Sequence, residues 1–547
     1  MSKTVLFNAK IYVEAGCFAE AVYQEDGIIK AVGLNSEILA MAPYEAEKID
    51  CKGKTVIPGL NDSHMHLLMI GEVLTEPPIG PSKSVEDMIE ICRKFAAENP
   101  DAVVNGMHGQ GWKQGLFEEG KVRLPNKDDL DKISTEYPIM LERVCGHTCA
   151  LNSKALEILG ITEDTPVDFY EGGTIERGAD GKLNGYITEN AVYAVRHVVP
   201  EADPEMRRKQ LLSAMKYATE HGLTSVQSND LGLMTANSKS NFDIYKHLYE
   251  DGLATLRFRH QVCCLLEKDL DEFIETEFAN RADYERFDNW LTLGPLKMFK
   301  DGSLGARTGL MRHEYEDDPG NYGIDSLNPQ LMDRLVKKAA EHGIQSVTHV
   351  IGDAAIEQTQ ECYEKAMKDG KNVLRNVLIH CQITDKPLLE RIAKADTLIA
   401  YQPVFLQGDM YAVESRCGVE LSSTSYAMKT AIDLGIHASY GTDSPVEDCN
   451  PFANIYCAVN RKDLTGKPDG GFNPQECVTV EQAIDAYTIE SAYMEFAEEY
   501  KGRIKPGYYA DLEILDKDIF TCDTMEIINI LPELVMVGGK VVYTKEA

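Results

Sequence analysis

The sequence predicts an α/β fold: a (β/α)8 TIM-like barrel, a small β-sandwich built from both chain termini, and an insertion over the barrel mouth. Three observations predict it. Strand-like and helical runs alternate through the middle of the chain, the rhythm of parallel βα units. Both termini consist of short alternating strands separated by Gly and charge. Between residues 75 and 205, Gly-rich hairpin text (YEGGTIERGADGKLNGYITE) interrupts the alternation.

At the start of the chain, TVLFNAKIYVEAG, YQEDGIIKAVG and KIDCKGKTVI are hairpin signals, and DLEILD, PELVMVGGK and VVYTKEA answer them at the end. One domain of residues 1–55 and 500–547 accounts for both sets, leaving residues 56–499 for the barrel and 75–205 for the insertion. Barrel-strand candidates are TVIPGL, AVVNGM, PIMLERV, LTSVQS, LRFRHQV, LGPLKMF, IQSVTHV, NVLIHC, TLIAYQP and HASYGT. Ten is two too many, and the excess falls in the insertion. Helical runs such as PQLMDRLVKKAAEHG place Leu331, Leu335, Val336 and Ala339 at three- and four-residue spacing, with Gly343 as a stop.

Composition limits the function classes. A hydrophobic fraction of 44% is that of an ordinary globular protein, and 547 residues can bury a large core. A formal charge of −33 repels phosphate backbones and anionic lipids, arguing against nucleic-acid and membrane partners. The 14 Cys are scattered without a C-x-x-C pair and follow no basic, apolar leader, so they read as free thiols of a cytoplasmic protein. No apolar run reaches the ~18 residues of a membrane span. A small-molecule enzyme is the default class, and a homodimer its commonest assembly.

Chemistry enters at TVIPGLNDSHMHL, where His64 and His66 stand two apart and share a face if the segment is extended. Two imidazoles can hold a divalent metal, which makes hydroxide from water near neutral pH. With 13 His in the chain, about 0.3 such pairs arise by chance, so the pair needs partners. Barrel chemistry sits at the carboxyl ends of strands, and there Lys297 lies near the end of LGPLKMF, His349 in IQSVTHV, His380 in NVLIHC, and Asp443 after HASYGT. Singly, each has a bland reading as a rim histidine, a paired lysine or a turn aspartate. Six such residues at successive strand ends point to one axial centre.

These settings resemble the amidohydrolase superfamily, in particular its amidohydrolase 3 or YtcJ-like branch, which includes N-substituted formamide deformylases. The matching text is PGLNDSHMHL, the pair Gly111–Trp112, GHTCALNSKAL, LKMFKDGSLGART, HVIGDAAI, IHCQ, GTDSPVE and GRIKPGYYADLEILD. The resemblance implies that His64 and His66 hold one metal, zinc by preference, and His349 and His380 a second. Lys297 would bridge them as a carbamate formed with carbon dioxide; an unmodified lysine beside a single ion leaves the same sequence. Asp443 would bind metal, take the proton of the activated water and pass it to the departing nitrogen. Trp112, His147, Asp301, Arg307 and Gln402 are pocket candidates, with loop packing as the alternative for Trp112 and loop orientation for Asp301 and Arg307.

Some positions depart from the family pattern. Ile379 stands beside His380 where many relatives carry an acidic residue, and Lys300 stands where a small residue is common and reads as a solvated charge. Strand alternation turns Cys381 away from the site. The resulting expectation is hydrolysis of a C–N bond in a small N-acyl, N-formyl or cyclic amide. A deaminase, an esterase or a non-catalytic binding protein on the same barrel are the alternatives. Deaminases of the superfamily usually carry a glutamate soon after the fifth-strand histidine, and here VIGDAAI follows His349.

Overall fold

A computed structural model describes residues 2–545 apart from 144–147, 171–172, 201 and 232–237. Its largest sheet is an eight-stranded parallel barrel whose strands neighbour one another in chain order. These are β1 (Leu60–Met65), β2 (Leu223–Leu231), β3 (Arg257–Cys263), β4 (Leu291–Phe299), β5 (Ser346–Val350), β6 (Val377–His380), β7 (Leu398–Tyr401) and β8 (Ala438–Tyr440).

The first strand differs from the sequence reading. Thr55–Pro58 is not a barrel strand: it pairs with Lys10–Glu14 and Leu512–Leu515 in a terminal sheet, and β1 begins beyond Gly59. Two strands therefore follow each other across one Pro-Gly step. Gly59 is required there by close approach, since a Cβ would lie 2.3 Å from the Thr224 side chain.

Two terminal sheets, of four and six strands, face each other across Leu6, Ile11, Val22, Ile29, Val56, Leu512, Ile514 and Met536. Alternation puts Leu512 and Ile514 into that core and turns Glu513 the other way, onto Gly222. Glu513 is 0% exposed and neither carboxylate oxygen has a partner among the described residues. Burial holds its carboxyl well above the usual 4.5. The sign follows directly: the folded state keeps a proton that the unfolded chain releases, so stability is fullest below 4.5 and falls as pH rises. One such proton amounts to about 1.4 kcal/mol per pH unit. Glu513→Gln should flatten the pH dependence of the unfolding midpoint above pH 5 and raise that midpoint at pH 8. Parallel curves for the two proteins would contradict this.

Helices alternate with the barrel strands. Pro329–Glu341 is typical: Asn328 accepts the Leu331 N–H at 2.9 Å as a cap worth about 1 kcal/mol, and Met332, Leu335, Val336 and Ala339 form its buried face. Leu331, counted on that face from sequence, is only half-buried, with Met332 in its place. Lys300 is likewise no surface charge. It is 0% exposed, pairs with Asp325 and donates to the Leu327 carbonyl at 2.7 Å.

The amino end of the barrel is plugged. Gln227 donates to the Ser491 carbonyl at 3.0 Å, Gln345 to the Met494 carbonyl at 2.9 Å, and Asn61 to the Glu495 carboxylate at 2.8 Å. Inward side chains are thus spent on segment 489–495 at that end, leaving the carboxyl end for chemistry.

Residues Leu68–Ala214 form a second compact unit. It contains a five-stranded sheet, which includes Met107–Trp112 and Ile139–Arg143; the surplus candidate PIMLERV coincides with the second, whereas AVVNGM shares only Met107 with the first, its other residues lying outside any strand. Among the described residues no helix is long and apolar enough to cross a membrane.

Candidate metal centre

Six side chains from five barrel strands converge at the carboxyl end. His64 is in β1 and His66 just beyond it; Lys297 is in β4, His349 in β5, His380 ends β6, and Asp443 follows β8 by three residues. Asp443 Oδ1 lies 3.2 Å from His64 Nε2 and 3.1 Å from His66 Nε2, and its Oδ2 lies 4.0 Å from His380 Nε2. Lys297 Nζ lies 3.4 Å from His64 Nε2, and the His349 and His380 rings are 4.5 Å apart.

Backbone conformation completes the convergence. His380 and Asp443 have φ of 70° and 56°, in the left-handed region that non-glycine residues rarely occupy. Cys381, with φ 44°, shares it, so strand alternation does not govern either residue at this bend.

Hydrogen bonds fix which ring nitrogens are free. Gln261 donates its amide to the Ser63 carbonyl at 3.0 Å, which leaves Oε1 as acceptor for His64 Nδ1–H at 2.7 Å. His66 Nδ1–H donates to the Asn229 carbonyl at 2.8 Å. Both Nε2 lone pairs therefore face Asp443. His349 is reversed: its Nε2–H donates to the Gly302 carbonyl at 2.8 Å, freeing Nδ1. Neither nitrogen of the buried His380 has a hydrogen-bond partner among the described residues.

Burial, reinforced by Lys297, lowers His64 to about 4 and His349 to about 3, and burial with His349 lowers His380 well below its usual value. Burial likewise lowers His66, but contact with Asp443 outweighs it and raises the net value. Asp443 is held well below the carboxylate range: burial pushes it up, and His64 and His66 more than offset that. Burial brings Lys297 down to about 8. Imidazole nitrogens converging on a carboxylate are the donor set of a divalent ion such as zinc, and His64, His66 and Asp443 have ligand atoms close enough together to share one. The residues fit the ion.

Gln261 and Asn229 are not singled out by the carboxyl-end rule, which concerns strand ends alone. The signal was available: Arg259, Gln261 and Cys263 share the inward face of β3, and a polar residue on that face needs a partner. Cys263 stands in register with Lys297. Partners of metal-binding imidazoles typically contribute 10- to 100-fold in affinity. Gln261→Leu should weaken zinc binding by about that factor, read by competition with a chromophoric chelator, and unchanged affinity would contradict the role.

The pocket candidates separate. Trp112 is 0% exposed inside the core of the Leu68–Ala214 unit, its indole N–H donating to the Leu141 carbonyl at 3.3 Å. That matches the packing alternative for Trp112. Arg307 is spent on a two-pronged pair with Asp317, at 2.9 and 2.7 Å. Asp301 accepts the backbone N–H groups of Leu310, Ile351 and Gly352 at 2.8 to 3.0 Å. These contacts correspond to the loop-orienting alternative for both residues. Gln402 stays a candidate: it follows β7 on the face of Leu398 and Ala400, is 0% exposed, and neither amide atom has a partner among the described residues. His147 lies outside the described residues.

The sequence matches the amidohydrolase family (Amidohydro_3) over residues 47–543. It is 31% identical over 546 residues to the Bacillus subtilis (strain 168) protein named "Putative amidohydrolase YtcJ", covering 99% of this chain and 100% of that one. It is 26% identical over 536 residues to the N-substituted formamide deformylase of Arthrobacter pascens, covering 93% and 92%. Among solved structures, an uncharacterized metal-dependent hydrolase from Pyrococcus furiosus superposes with a TM-score of 0.75 at 25% identity, covering 95% of this chain and 100% of that one.

Proposed function

The chain belongs to the amidohydrolase family, and we propose that it is a zinc-dependent hydrolase cleaving the C–N bond of a small N-acyl, N-formyl or cyclic amide. The observation that carries this reading is the meeting of His64 Nε2 and His66 Nε2 with Asp443 Oδ1 at 3.2 and 3.1 Å. The deformylase activity named for the Arthrobacter relative supports an amide over an ester.

His64, His66 and Asp443 would hold one ion, His349 and His380 a second, with Lys297 between them. When bound, the ion supplies an activated water and polarises the carbonyl under attack. Asp443, ionised before the attack, would accept the water proton at Oδ2, the oxygen 4.0 Å from His380 Nε2. The same atom then delivers that proton to the nitrogen as the C–N bond breaks, so the amine leaves neutral and the carboxylate is regenerated for the next turnover. At about 8, Lys297 has free amine near neutral pH, the form that combines with carbon dioxide. The resulting carbamate would offer oxygen ligands that an ammonium lacks. Gln402, neither of whose amide atoms has a partner among the described residues, would orient the substrate amide.

The test is a screen of N-formyl, N-acetyl and aryl-acyl amides, with matched esters, using zinc-loaded protein. Turnover of an amide class with release of its amine is expected. Turnover of esters alone, or of no compound by fully loaded protein, would overturn the proposal.

A further inference from the structure

We propose that Asp62 is a positioning residue that sets the geometry of His64, His66 and Asp443 by clasping the first and last strands of the barrel. The regular ladder ends at β8 on one side and β1 on the other. What joins these two edges is a short set of contacts centred on one buried carboxylate.

Asp62 is 0% exposed and lies within β1. Its Oδ1 accepts the His64 N–H at 3.0 Å, while Oδ2 accepts both the N–H and the hydroxyl of Thr442, at 2.9 and 2.7 Å. Thr442 immediately precedes Asp443. One carboxylate therefore ties the backbone of a β1 ligand to the backbone entering the β8 ligand. Around it, Asp443 N–H donates to the His64 carbonyl at 2.9 Å, and His66 N–H donates to the Ser444 carbonyl at 2.8 Å.

The approach between the strands leaves no space for a side chain. A Cβ at Gly441 would lie 2.6 Å from His64 N and 2.8 Å from Asp62 Oδ1. Asn454 secures the other side, donating to the Gly441 carbonyl at 2.9 Å while its own oxygen accepts the Val404 N–H. Three of the six candidate ligands hang on this clasp, and Asp443 holds its left-handed φ within it. A carboxylate suits the role because it offers two acceptor oxygens to three donor groups, the His64 N–H and the N–H and hydroxyl of Thr442. An amide must turn a donor toward one of them.

This inference rests on the metal-centre reading of the site. The experiment compares Asp62→Asn, Thr442→Val and Thr442→Ser with the parent protein by zinc affinity, by the visible spectrum of the cobalt(II) form, and by kcat and KM separately. Asp62→Asn should lose at least about tenfold in zinc affinity, shift the cobalt(II) bands and lower kcat with little change in KM. Thr442→Val should follow in the same direction, and Thr442→Ser, which keeps the hydroxyl, should restore what valine loses. Should Asp62→Asn fail to fold, the Thr442 pair decides. Parent-like affinity and spectrum in Asp62→Asn and Thr442→Val, whatever their melting temperatures, would overturn the clasp and leave the metal reading standing. A parent protein that takes up neither zinc nor cobalt would overturn both.

Discussion

Asp443→Asn should bind zinc and yet lose about 10²- to 10⁴-fold in kcat, the contribution typical of a positioned acid–base group. The asparagine keeps a carbonyl oxygen for the position that Oδ1 occupies 3.1 Å from His66 Nε2. What it cannot do is accept the proton of the attacking water and return it to the leaving nitrogen. KM should move little, because the loss falls on the transition state. Metal analysis of the purified variant beside its steady-state kinetics checks this, and full turnover at normal zinc content would remove the proton-transfer role.

Lys297→Ala should be nearly as damaging. Removing a hydrogen-bond partner of a ligand already costs about 10- to 100-fold, and a direct bridging ligand should cost more. The side chain is 0% exposed, with Nζ 3.4 Å from His64 Nε2. If it works as a carbamate, the alanine variant should bind fewer ions, and a small carboxylate such as acetate should recover part of the lost rate by supplying two oxygens in its place. If it works as an ammonium, methylamine should recover rate and acetate should not. The direction of rescue distinguishes one chemistry from the other.

The barrel and the convergence of its strand ends were legible because each rests on local pattern. Alternation of strand and helix gives the architecture, and the carboxyl-end rule then singles out His64, His66, Lys297, His349, His380 and Asp443. Three features were not legible, each for a physical reason. Thr55–Pro58 and Leu60–Met65 read as one strand with a break, because a Pro-Gly step does not say whether the chain turns within a sheet or passes to another. The inward aim of His380 and Asp443 depends on φ values of 70° and 56°, which residue type alone does not announce. The contacts of Asp62, Gln261 and Asn229 join residues up to 380 positions apart, so only the closed barrel brings them together.

The loop after β4 carries a related lesson. Asp301 and Arg307 stand in DGSLGART, a distinctive stretch open to a substrate role or to a loop-orienting one. Their polar groups go to backbone N–H groups and to Asp317, holding a loop whose Gly302 carbonyl orients His349. Distinctive text marked a structural device one contact removed from the centre.

The central claim is tested most directly by stripping the protein with a chelator and measuring both ion content and hydrolysis of an N-formyl or N-acyl amide as zinc is returned. The structure predicts no turnover in the stripped protein, and recovery that saturates at one or two equivalents of zinc. Amide hydrolysis that persists unchanged without the ion, or zinc uptake that His64→Asn and His66→Asn leave unaltered, would contradict it.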